Sequence, residues 1–74
     1  MNNNLSLLMG RDRMAVSELH KVTGISASTL HNIYHEKTKF PDTKTIKTLC
    51  DYFDVTFDEF FGIREISFKE KQNN

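Results

Sequence analysis

Thr23-Gly24-Ile25-Ser26-Ala27-Ser28-Thr29-Leu30-His31-Asn32-Ile33-Tyr34 is the stretch on which the fold turns. Gly24 is placed to cap a helix over Met14 to Thr23, because glycine takes the left-handed conformation without steric cost. Ser26 stands where an N-cap belongs, its hydroxyl able to accept from a free backbone N–H of the next turn. Leu30, Ile33 and Tyr34 recur at i, i+3 and i+4, the spacing of one buried stripe, and predict a helix over 27–35. Two short helices joined through Gly24-Ile25-Ser26, the second with an apolar rear and small polar residues in front, make a helix-turn-helix pattern.

Working outward, Leu5, Leu8 and Met9 show the same spacing and predict a short first helix that Gly10 would stop. Met14, Leu19 and Val22 are the expected buried positions of the second. Glu36 to Pro41 lacks apolar periodicity and reads as an exposed loop. Asp42 or Thr43 can cap a fourth helix with the cleanest stripe in the chain, Ile46, Leu49, Cys50 and Phe53. Thr56 followed by Glu59 is a capping box opening a short fifth helix, with Phe60 and Phe61 inside it and Gly62 at its end. Phe53, Phe60 and Phe61 are expected in the core, with Phe57 the exposed exception. In Ile66-Ser67-Phe68-Lys69 the apolar residues alternate, which predicts a short β-strand without a partner strand in the chain. The asparagines at both ends are expected to fray. The expected fold is therefore all-α, five short helices around one core in residues 1–62, followed by a strand and tail in residues 63–74.

At 74 residues the chain has room for one domain of about half the usual ~150 residues. A fold of this size buries only about 60% of the surface its unfolded chain exposes, so a second subunit is a natural support. The single cysteine, Cys50, excludes an internal disulfide and fits a reducing, cytoplasmic setting. No apolar run approaches the roughly 18 residues of a membrane span, and Met1 to Asn4 carry no positive charge of the signal-peptide kind. Formal net charge is zero, but it is divided: seven basic against four acidic residues up to Leu49 leave +3, and three against six from Cys50 onward leave −3.

The run Ser17-Glu18-Leu19, Thr23-Gly24-Ile25-Ser26, Thr29-Leu30 and Ile33-Tyr34, followed by Thr45-Ile46, Leu49-Cys50, Phe53-Asp54-Val55 and Phe60-Phe61, resembles the five-helix DNA-binding domain of phage Cro and repressor proteins, the lambda-repressor-like fold. Each element is weak alone, whereas their shared order and spacing are specific. The resemblance implies a sequence-specific transcriptional regulator whose third helix enters the major groove of a double-stranded operator. It places Ala27, Ser28 and Asn32 at base edges, with Ser26, Thr29 and His31 close to bases or backbone. It implies phosphate contacts from Lys37, Thr38 and Lys39.

The chain departs from the family pattern at the start of the second helix, where Ala15 and Val16 replace a polar cap and a glutamine-like residue. Either Ser17 or Arg13 is left to supply that phosphate contact. His20 occupies a position that is usually small, which calls for a modest change in helix crossing or an outward-swung imidazole. The orphan strand predicts a homodimer that pairs Ile66 and Phe68 across a two-fold axis.

Other chemistries fit less well. His31 and His35 have a spacing that can ligate zinc, but a structural site wants four ligands, and Cys50 lies in an apolar stripe. No metal or other cofactor is expected, and no small-molecule substrate. Cys50 with a histidine lacks an oxyanion site and an orienting group, so no enzyme is expected. The rival function is a protein-interaction module, an antirepressor or modulator acting on another regulator, which the zero net charge and the acidic second half favour.

Overall fold

The structure of the chain, a computed structural model, describes residues 2–39 and 41–66. Five helices follow in order: α1 Leu5–Arg11, α2 Val16–Thr23, α3 Ala27–Tyr34, α4 Thr43–Phe53 and α5 Phe57–Phe60. The longest has eleven residues, below the ~12–15 at which an isolated helix becomes marginal in water. Their stability must therefore come from one another.

All five contribute to a single core: Leu5, Leu8 and Met9 of α1, Leu19 of α2, Leu30 and Ile33 of α3, Ile46, Leu49, Cys50 and Phe53 of α4, and Phe60 of α5. No polar side chain of the described residues is buried with them. Burial pushes the Cys50 thiol up to about 11, the neighbouring Asp51 carboxylate adding to the shift. A thiol so placed is a small core hydrophobe rather than a nucleophile.

Caps form where local chemistry calls for them. Ser26, Asp42 and Thr56 accept from the backbone N–H of Thr29, Thr45 and Glu59, and Glu59 returns the bond to Thr56 to complete the capping box. Asp42 rather than Thr43 is the cap of α4. At α2 the cap is Ala15, which has no side-chain acceptor, so only Glu18 contributes, taking the Ala15 N–H at 3.1 Å.

Several expectations are corrected. Gly10 lies inside α1, which runs on to Arg11. The chain turns instead at Arg13 (φ 55°), where Met14 N–H donates to the Met9 carbonyl and Arg13 N–H to that of Gly10. The same closure ends α3 at Glu36 (φ 59°) and α4 at Asp54 (φ 59°). Left-handed geometry at a non-glycine residue costs roughly 1–2 kcal/mol, and with no glycine at these three ends the sequence gives no signal of it. The second helix begins at Val16 rather than Met14, and Val22, expected in the core, is 56% exposed. Tyr34, expected in the α3 stripe, is 38% exposed.

No strand occurs among the described residues. Glu65 and Ile66 are irregular, Ile66 packing half-buried against the core, while Ser67, Phe68 and Lys69 of the expected strand lie outside the described residues. A four-residue alternation is a weak strand signal, and a half-buried residue following a helix satisfies it equally well.

Asn3 and Asn4 do not fray as expected, and the C-terminal asparagines lie outside the described residues. Asn4 N–H donates to the Phe60 carbonyl and its side-chain amide to that of Glu59. The Asn3 amide reaches the Ile33 carbonyl at 2.9 Å.

Candidate nucleic-acid interface

The α2–turn–α3 unit is built on backbone bonds that side chains complete. Gly24 (φ 76°) ends α2, its N–H donating to the His20 carbonyl. Thr23 Oγ1 donates to the Leu19 carbonyl at 2.7 Å and accepts the Ile25 N–H at 3.2 Å, so one hydroxyl ties the last turn of α2 to the linker. His20 is exposed, its imidazole swung outward, with Nδ1 2.7 Å from the Ile25 carbonyl. A carbonyl only accepts, so Nδ1 carries the hydrogen. The outward ring resolves the clash expected of a large residue there, and clasps the turn as well.

At the leading end of α3, Ser26 Oγ accepts the Thr29 N–H and donates to Thr29 Oγ1 at 2.8 Å. These two hydroxyls hold each other, and Thr29 is half-buried. Leu30 and Ile33 anchor the rear of the helix in the core, which leaves Ala27, Ser28, His31 and Asn32 exposed along its front. Among the described residues the Asn32 side-chain amide makes no hydrogen bond, so both its donor and its acceptor are open to a ligand. The His31 and His35 rings stack with centroids 6.2 Å apart and planes 7° from parallel. Among the described residues no three metal-ligating side chains come together.

The chain leaves α3 through a closed corner: Lys37 N–H donates to the Asn32 carbonyl at 2.8 Å and Glu36 N–H to that of Ile33 at 3.0 Å. Lys37 and Lys39 follow it, both exposed, with Thr38 half-buried between them. Arg13, Lys21, Lys37, Lys39 and Lys44 are in no ion pair among the described residues. Arg11, by contrast, is forked onto Asp12, whose carboxyl the guanidinium holds below the usual range. Ser17, on the first turn of α2, and Arg13, just before it, are both exposed.

One further cation belongs to this surface. Lys44, on the first turn of α4, shares with Thr23, Ile25, Ser26, Thr29 and Thr48 a groove of about 330 Å³ beside the leading end of α3. Thr23 and Thr48 turn their hydroxyl hydrogens to backbone carbonyls, and Lys44 is the charged residue among those lining the groove. The signal was the polar run Thr43-Lys44-Thr45, indistinguishable by itself from any solvated helix face.

A short helix pinned behind, polar in front, capped at its leading end and followed by a basic loop is the arrangement of a helix-turn-helix DNA-binding domain. The family model of the Cro/C1-type helix-turn-helix DNA-binding domain matches residues 4–65, and the chain belongs to that family. No curated protein and no solved structure matches it significantly. The chain is accordingly a double-stranded-DNA-binding domain of the kind that regulates transcription. No helix among the described residues is long and apolar enough to cross a membrane.

Proposed function

We propose that this protein is a sequence-specific, Cro-like transcriptional regulator of the cytoplasm that reads the major groove with α3. The observation that carries the reading is the unbonded, exposed amide of Asn32 on the front of a helix whose Leu30 and Ile33 are buried behind it. In this reading Asn32 pairs bidentately with adenine, Ser28 bonds a base edge, Ala27 packs on a thymine methyl and His31 lies beside them. Ser26 and Thr29, bonded to each other, shape the leading end close to bases or backbone. Lys37, Thr38 and Lys39 hold phosphates, joined by Lys44 and by Ser17 or Arg13.

The test is binding of the intact protein to a random duplex across salt concentrations, followed by selection of sites from a random pool. Expected are measurable affinity at low salt, falling log-linearly as salt rises with a slope near −0.9 per phosphate contact, and a recovered consensus. A protein that binds no duplex at low salt is instead the protein-interaction module, acting on another regulator. The carboxylates of Asp51, Asp54, Asp58 and Glu59, on the end of α4, its cap and α5, are what favour that second reading.

The protein is further proposed to act as a homodimer, with residues 63–74 as the dimerisation arm and Ile66 and Phe68 at the contact. In support, a groove of about 460 Å³ lined by Asn4, Leu7, Gly62, Arg64, Glu65 and Ile66 opens on this side, with Leu7 and Ile63 exposed. Two copies of α3 so related would meet half-sites about one helical turn, ~34 Å, apart. Light scattering of the intact chain should give twice the chain mass at high micromolar concentration; a monomer there rules the dimer out.

A further inference from the structure

We infer that Asn3 is a positioning residue for DNA binding, holding the corner from which the basic loop leaves the candidate reading helix. The inference rests on the reading of α3 and residues 37–39 as the DNA-facing elements.

Asn3 precedes α1, and three of its hydrogen bonds bear on its role. Its Oδ1 accepts the Leu5 N–H at 2.9 Å, an ordinary local bond at a helix start. Its Nδ2 donates to the Ile33 carbonyl at 2.9 Å, thirty residues away. Its backbone N–H faces Glu36 Oε2 at 3.4 Å. Only the first of these concerns α1.

The other two fall on one corner. The Ile33 carbonyl also accepts the Glu36 N–H, and the corner is completed by Lys37 N–H on the Asn32 carbonyl. Glu36 holds φ at 59°, a conformation that disfavours a side-chain-bearing residue and persists only where its surroundings impose it. Asn3 bonds into that corner from outside the helix, on the Ile33 carbonyl and the Glu36 carboxylate. Lys37 and Lys39 lie one and three residues beyond Glu36, so the direction of the corner sets where both ammonium groups fall relative to Asn32. Asn4 anchors the brace at its other end, on the Glu59 and Phe60 carbonyls of α5.

The consequence is specific. Releasing the corner leaves α3 seated by Leu30 and Ile33, so base discrimination survives, while the lysines lose their placement. Asn3→Ser keeps an oxygen for the Leu5 N–H and lacks the amide that reaches Ile33. In the intact protein it is expected to weaken operator and random duplex alike, by about tenfold at moderate salt, and to lower the salt slope by about one unit. The preference for operator over random duplex should stay unchanged. Ile46→Val, in the core of α4 and away from both the DNA-facing and the dimerisation surfaces, is the control: it should lower the melting temperature and leave the affinity of the folded protein as it was. Without DNA, the Lys37 amide should exchange its hydrogen faster in Asn3→Ser, relative to amides in α4, by about tenfold or more.

Five outcomes decide the matter. The expected pattern supports the inference. Wild-type affinity in Asn3→Ser, once the folded fraction is measured by circular dichroism, overturns it while leaving the DNA-binding reading intact. Equal losses in Asn3→Ser and Ile46→Val overturn it as well, since general loosening then accounts for both. Should Asn3→Ser fail to fold, the comparison passes to Asn3→Gln, which retains the amide and must restore both wild-type DNA affinity and slow Lys37 exchange; failure of either overturns the inference. A wild-type protein that binds no DNA removes the proposed function and this inference together.

Discussion

Phe60→Ala is expected to cost about 3–5 kcal/mol of folding stability, and Phe57→Ala, one turn earlier on the same short helix, less than about 1 kcal/mol. The two residues share an element and a side chain but not an environment. Phe60 is 0% exposed within the core, whereas Phe57 is 40% exposed. Truncating Phe60 forfeits its transfer free energy and leaves a cavity that α4 and α5 cannot readily collapse into. At ~0.05–0.15 kcal/mol per residue, a domain of this length has only roughly 4–11 kcal/mol in all. The loss corresponds to a fall in melting temperature of at least about 12 °C, read by circular dichroism on both variants. Comparable losses at the two positions would mean that α5 is not seated as described.

Asn32→Ala and Lys39→Ala are expected to fail in different ways. Loss of a bidentate amide pair costs ~1–3 kcal/mol at one base position, or about 5- to 150-fold, and leaves random DNA binding nearly untouched. Loss of a phosphate contact weakens all sequences alike and lowers the salt slope by about one unit. Asn32 is exposed on α3 opposite the buried Leu30 and Ile33, so its removal disturbs no packing, and Lys39 is exposed in the loop beyond Glu36. Salt titrations on operator and scrambled duplexes, with folding confirmed by circular dichroism, separate the two. Wild-type operator binding by Asn32→Ala would remove the central residue of the reading surface and favour the protein-interaction alternative.

Much of this molecule was legible because its signals are local. Ser26, Asp42 and Thr56 bond N–H groups three residues on, so a cap needs no knowledge of the rest of the chain. Ile46, Leu49, Cys50 and Phe53 lie on one side of a helix wherever that helix is put, and their burial followed. The front of α3 was readable for the same reason, as the complement of Leu30 and Ile33.

Tertiary structure alone decided the remainder. Whether Val22 or Tyr34 is covered depends on how far the neighbouring helices extend, and in α2 and α3 the periodic stripe is wider than the surface that meets it. Arg13, Glu36 and Asp54 turn left-handed where the backbone closes over the end of the preceding helix, a cost no residue preference advertises. Lys44 comes to the leading end of α3 only when α4 docks there. Asn3 and Asn4 looked like a frayed end because their acceptors stand 30 and 55 residues away. A hydrogen bond across that distance has no sequence pattern, since folding must first bring its partners together and the entropy of closing the chain is met by the core, not by the asparagines themselves.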